Sequence, residues 1–246
     1  MKLSTDHILT THVGSLPRPQ ALVDLLVKKD QEQPYDQAAF DHQVAQAVRD
    51  IVAHQVAIGI DVVSDGEASK IGYATYIKDR LTGFGGEPFV PKAQRDLADY
   101  PEFRARMIQF TGPQVFRRLC CIGDVRLRDH DAVKADIAHF KAAIEQSRPV
   151  DAFMPAASPG VVSAFQPNRH YPTHAAYIGA VADAMQEEYE AIANAGIVVQ
   201  LDSPDLAMAR HTVHSCAWRG LAASNEIACG FALRMIGSTF RSGISK

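Results

Sequence analysis

Apolar positions in this chain fall into two kinds of stretch, long ones with a three-to-four-residue spacing and short continuous ones. Over 36–58, Phe40, Val44, Val48, Ile51, Val52 and Val56 share one face of a long helix, and Gly59 stands where a left-handed residue would end it. Val133, Ile137, Phe140 and Ile144 predict a second helix over 132–144. Tyr177, Ile178, Val181, Met185, Tyr189 and Ile192 predict a third, closed by Gly196. Between these lie short strand-like runs at 10–14, 60–63, 119–122, 152–156 and 197–201. Strands alternating with helices imply parallel pairing through right-handed crossovers. A β/α barrel of the TIM type is the architecture this pattern predicts, although about five strands are legible where a closed barrel needs eight. A doubly wound open sheet is the competing arrangement. The stretch 83–113 has prolines and charges but little period, and reads as an insertion or long loop.

Composition narrows the class. The 246 residues are 47% hydrophobic and 22% charged with a formal net charge of -3, which excludes a disordered chain and gives no basic groove for nucleic acid. Four cysteines in so long a chain do not make a disulfide framework. The first fifteen residues lack the apolar core of a signal peptide, and no run reaches the roughly 18 residues of a membrane span. A soluble, cytoplasmic protein is the expectation. From Ala207 onward the pattern changes: Glu226 is the single acid against Arg210, Arg219, Arg234, Arg241 and Lys246, and no strand–helix alternation is legible. The expected division is therefore a barrel portion over 1–210 and an atypical segment over 211–246.

Candidate chemistry sits at the ends of the short runs, where β/α barrels carry their sites. Gly14-Ser15, Glu67, Ser158 and Asp202 all fall there. Each has a purely structural alternative. The run from Gly14 to Pro17 can be a turn; Ser64 and Glu67 have capping-box spacing; Ser203-Pro204-Asp205 reads as a helix start that would leave Asp202 a bystander. His12 reads as a hydrogen-bonded structural histidine. Tyr76 and Arg80 could face a pocket or a solvated helix face. Cys120 and Cys121 alternate sides if the run is a strand, so at most one faces a given site.

Thr10-Thr11-His12-Val13-Gly14-Ser15-Leu16-Pro17-Arg18-Pro19 resembles the opening of the catalytic barrel of cobalamin-independent methionine synthase and its short relatives. Gly59-Ile60-Asp61-Val62-Val63-Ser64-Asp65-Gly66-Glu67 is similar to that family's second signature, and Gln200-Leu201-Asp202-Ser203-Pro204-Asp205-Leu206-Ala207-Met208, preceded by Glu187-Glu188-Tyr189 and Ala195-Gly196, to a third. Phe153-Met154-Pro155-Ala156-Ala157-Ser158-Pro159-Gly160 resembles the short relatives as well. The resemblance implies a barrel of the methionine synthase and uroporphyrinogen decarboxylase kind, here incomplete on its C-terminal side. It implies methyl transfer from 5-methyltetrahydrofolate, as its polyglutamate, to the thiolate of homocysteine, with zinc as cofactor and no cobalamin. A thiol with an ordinary pKa near ~8.5 is a poor nucleophile at neutral pH, and a metal removes its proton.

By the same resemblance, Val13, Gly14 and Ser15 would meet the carboxylate of the amino acid, and Glu67 and Asp202 its ammonium. The family draws its zinc ligands from a His-x-Cys pair, a glutamate and a second cysteine. His214, Cys216, Glu226 and Cys229 supply those types in that order, yet follow Asp202 too closely and without barrel periodicity. They are read as accidental, and no metal ligand is assigned. Weak or absent turnover follows. The alternatives are a catalytically silent amino-acid-binding module and a metal-free barrel lyase or decarboxylase using Glu67 and Asp202. The expected partners are small molecules: homocysteine or another thiol, and methyl-folate.

Overall fold

The computed structural model describes residues 2–89, 97, 99–111 and 117–208. Within them the chain runs α1 (Gln20–Asp30), α2 (Gln37–Ala57), β1 (Val62–Val63), α3 (Ile77–Arg80), β2 (Phe84–Gly85), α4 (Pro101–Thr111), β3 (Cys120–Cys121), α5 (Asp131–Ser147), β4 (Asp151–Ala157), α6 (Pro159–Phe165), α7 (His174–Asn194), β5 (Val198–Asp202) and α8 (Asp205–Met208).

The long helices form where the spacing places them, and for visible reasons. The Asp36 carboxylate accepts from the Ala38 and Ala39 amides at 2.9 and 3.2 Å, which starts α2. Phe40, Val44, Ala47, Val48 and Val52 are its buried stripe, and Gly59 with φ +87° follows its end. Gln55 continues the stripe because its amide bonds both main-chain groups of Ser64, at 2.8 and 3.1 Å. The Thr173 hydroxyl caps α7 through the Ala176 amide at 3.1 Å. Tyr177, Val181, Met185, Tyr189 and Ile192 are buried along it, each aliphatic or aromatic side chain contributing roughly 1.5–3 kcal/mol.

β1, β4 and β5 make a parallel sheet in that spatial order, and Thr11 bridges to Val62 in parallel on the far side of β1. Closure into an eight-stranded barrel is not present among the described residues. The expected strand over 119–122 is corrected: β3 lies outside the parallel sheet and pairs antiparallel with β2. The cause is local. Gly83, at φ +88°, accepts from the Ile122 and Gly123 amides at 2.8 and 3.2 Å, and an added Cβ there would sit 2.6 Å from the Gly123 carbonyl oxygen. Only glycine lets the two chains approach so closely. Part of the stretch expected to be a loop over 83–113 is thus β2 and α4.

The C-terminal half of β4 runs past the end of β1. Alternate strand residues turn to opposite neighbours, and the Ser158 amide donates to the Asp202 carbonyl at 3.1 Å, so Pro155 and Ala157 turn away from β5. No strand among the described residues meets them there. Pro155 has no N–H to satisfy, and its carbonyl accepts from the Lys70 ammonium at 2.5 Å. The Ala157 amide donates to the Tyr76 hydroxyl at 3.3 Å, and its carbonyl accepts from the Tyr189 hydroxyl at 2.6 Å. Side chains complete the edge in place of a neighbouring strand.

Tyr76 and Arg80 are buried, so the solvated helix face is excluded for both. Tyr76 donates to Glu188 of α7 at 2.7 Å, and Arg80 pairs with Asp136 of α5 at 2.5 Å and with Glu188 at 3.8 Å. With Asp79 and His139 they line a cavity of about 390 Å³.

Candidate functional site

Two loops at the C-terminal ends of the strands build the site. Gly14, at φ +96°, reverses the chain after Thr11, and the Leu16 amide donates to the Gly66 carbonyl at 3.1 Å, which joins the first loop to the one after β1. Gly66 has φ +61°, and a Cβ there would meet Ile51 and Leu16 at about 3.0–3.1 Å. Glu67 follows at φ +55°, a left-handed conformation costing a non-glycine residue roughly 1–2 kcal/mol. Polar contacts hold it there. Asp65 accepts from the Glu67 amide at 3.0 Å. The Arg18 guanidinium donates to the carbonyls of Glu67, Ala68 and Lys70 at 2.7, 3.3 and 2.8 Å. Burial lowers the Arg18 pKa, with Glu67 and then Asp65 opposing that shift.

This strained backbone aims one side chain. Glu67 is 1% exposed, its Oε2 accepts from the Ser15 hydroxyl at 2.5 Å, and its Oε1 is buried with no hydrogen-bond partner. The capping-box alternative fails, because the Ser64 hydroxyl accepts from the Gly66 amide while the Glu67 carboxylate goes to Ser15.

Asp202 ends β5 and accepts from the Gln200 amide at 2.8 Å. Burial raises its carboxyl pKa; the Gln200 hydrogen bond opposes this, the Glu67 charge adds to it, and Lys70 opposes it. Ser15 and Glu67 therefore touch, and Asp202 stands within the electrostatic reach of Glu67. Val13 is largely exposed at 57%, and Gly14 has open space where a side chain would be. α8 starts at Asp205, whose carboxylate accepts from the Ser158 hydroxyl at 3.3 Å.

Sequence reasoning missed Arg18, Lys70 and Tyr73. Tyr73 packs edge-on against Phe165 at 5.4 Å, and Arg118 lies over the same ring at 4.5 Å. Burial raises the Tyr73 hydroxyl pKa against the Arg118 charge, while Asp202, Glu67 and Asp205 raise it further. Tyr73 thus stands within the electrostatic reach of all three carboxylates. Arg18 had one signal available, its position within the Gly14–Pro19 motif. Lys70 and Tyr73 carry no pattern of their own. His12, expected to be hydrogen-bonded, has a buried Nε2 without a partner.

Among the described residues, no group of three or more His, Cys, Asp or Glu side chains could hold a metal ion. Cys120 and Cys121 are both buried; the Cys121 thiol donates to the Gly123 carbonyl at 3.4 Å, and burial pushes its pKa up. His214, Cys216, Glu226 and Cys229 lie outside the described residues.

Residues 8–87 match the cobalamin-independent synthase catalytic domain. The match takes in the Gly14–Ser15 and Glu67 loops, and it bears out the resemblance over that stretch. The fold is similar to a B12-independent methionine synthase from Shewanella sp. W3-18-1, solved with selenomethionine, at a TM-score of 0.61 and 19% identity over 87% of this chain and 57% of that one. It is also similar to a putative vitamin-B12-independent methionine synthase from Listeria monocytogenes, at 0.58 and 16% over 89% and 62%. The chain thus spans less than two thirds of either. No curated protein matches. No helix among the described residues is long and apolar enough to cross a membrane.

Proposed function

We propose that Glu67 and Asp202 form the receptor for the α-ammonium group of a small amino acid, with Ser15 holding one oxygen of Glu67 and homocysteine as the natural ligand. The observation that carries this is Oε1 of Glu67, an ionisable oxygen buried without a partner while its twin is held by Ser15. Such an atom costs roughly 1–3 kcal/mol unless something donates to it, and a charged donor recovers most. An ammonium carries three donors, enough for Glu67, Asp202 and one more acceptor. Val13, Gly14 and Ser15, on one loop, would meet the carboxylate through their backbone amides, since the Ser15 hydroxyl is committed to Glu67. The selenomethionine bound by the Shewanella protein is an amino acid of this size and chemistry.

The reaction we assign to the receptor is methyl transfer to the ligand's sulfur from a methyl-folate, in the cytoplasm. The receptor's own part is to bind and orient the amino acid. Catalytic zinc, which would supply the thiolate, has no fitting residues in the described part, so recognition stands here independently of turnover. A silent amino-acid-binding module is the second reading, favoured by the same separation.

Calorimetry with L-methionine and L-homocysteine tests the receptor. Binding to the wild-type protein, weakened at least tenfold (about 1.4 kcal/mol) in Glu67→Gln and less in Ser15→Ala, is the expected result. Equal affinity in Glu67→Gln would overturn it. Methionine formation assayed on the same protein separates the two readings.

A further inference from the structure

Lys70 is 3% exposed, yet no carboxylate among the described residues lies within ion-pairing distance of its ammonium. The ammonium is held elsewhere: it donates to the Pro155 carbonyl at 2.5 Å and sits 4.5 Å from the centre of the Tyr76 ring. A lysine near buried carboxylates ordinarily swings to pair with one of them. Here a carbonyl and an aromatic face keep it back.

We propose that Lys70 is a tethered countercharge: it acts across space on the carboxylates of the site while leaving Glu67 and Asp202 unpaired for an incoming ammonium. The inference rests on the amine receptor proposed above and adds a positioning residue to it. A direct ion pair would quench the receptor, since a ligand would have to displace the lysine. With no cation at all, several carboxylates gathered in a low-dielectric pocket would take up protons and lose their charge. A cation fixed at a distance avoids both outcomes.

The charges facing Lys70 come from several elements. Asp65 and Glu67 belong to its own loop, Arg18 to the N-terminal segment and Asp202 to β5; Asp136 of α5 also raises Asp65, more than Glu67 does, and Glu188 of α7 holds the Tyr76 hydroxyl beneath the ammonium. Arg18 is committed to three carbonyls. Burial pushes the Asp65 carboxyl up to about 6, with Lys70 the largest opposing influence, and Lys70 also opposes the rise of Asp202.

The test is carboxyl titration by NMR on protein labelled with ¹³C at aspartate, in wild type, Lys70→Gln and Lys70→Arg. Glutamine keeps an N–H donor, one bond shorter, but carries no charge; arginine keeps the charge. The Asp65 and Asp202 midpoints are expected to rise by about one pH unit in Lys70→Gln and to stay near wild type in Lys70→Arg. The acid limb of L-methionine binding should move upward with them. Unchanged midpoints in Lys70→Gln would overturn the proposal, because a merely structural lysine is replaced by any donor. Failure of the wild type to bind L-methionine would sink the amine receptor instead, and the titrations would still decide the role of Lys70.

Discussion

Asp65 shows how one buried side chain shapes the response to pH. Burial pushes its folded pKa up to about 6, well above the ordinary carboxylate value. The folded state therefore holds a proton that the unfolded chain releases, and the stabilisation is complete below about pH 4 and lost as pH rises through 6. Asp61 works the other way. Its pKa is lowered to about 2, first by the Thr10 amide and then by His7 and the Thr10 hydroxyl, so its contribution is present above pH 4 and lost toward 2. Asp65→Asn keeps the acceptor for the Glu67 amide and removes the titration. Denaturant melts from pH 4 to 7 should show the variant gaining roughly 3 kcal/mol relative to wild type across that window. At this scale the sequence was partly readable. Glu67 and Ser15 stood out through their motifs, but that they touch depends on a left-handed glutamate, which no local pattern announces.

Helices were the most readable elements. α2 and α7 bury long periodic stripes and carry side-chain caps, so propensity, pattern and punctuation agree. Asp36→Ala should cost about 1 kcal/mol, seen as a fall of roughly 2–4 °C in Tm. The hairpin of β2 and β3 was not readable, since each strand is two residues long and its partner lies thirty-five positions away. Its register depends on Gly83, where backbone rather than side chain fills the space. Gly83→Ala therefore combines a positive φ with a clash that no rotamer relieves, and a loss of about 2 kcal/mol or more is expected, measured by urea unfolding. α1 and α6 went unread for a different reason: in α1 the apolar runs 21–23 and 25–27 blur the stripe of Leu22 and Leu26, and α6 is seven residues starting at Pro159.

Across the whole molecule, three helices meet on buried charge. Arg80 from α3 faces Asp136 of α5 and Glu188 of α7, all nearly inaccessible to water. Arg80→Met would strand two carboxylates in the interior, for a loss of roughly 3–5 kcal/mol by chemical denaturation. Adding Asp136→Asn and Glu188→Gln should recover part of it. These partners are separated by 56 and 108 positions, so no window along the chain could pair them; the parallel alternation was legible, the contacts across it were not. The way β4 ends carries this further. Its last residue is gripped by two phenols rooted in different helices, so any tilt of α7 or α3 pulls directly on the strand tip beside Ser158 and Asp202. On this wiring, breathing of the helical layer loosens the strand tip, and hydrogen exchange at the Ala157 amide would report it.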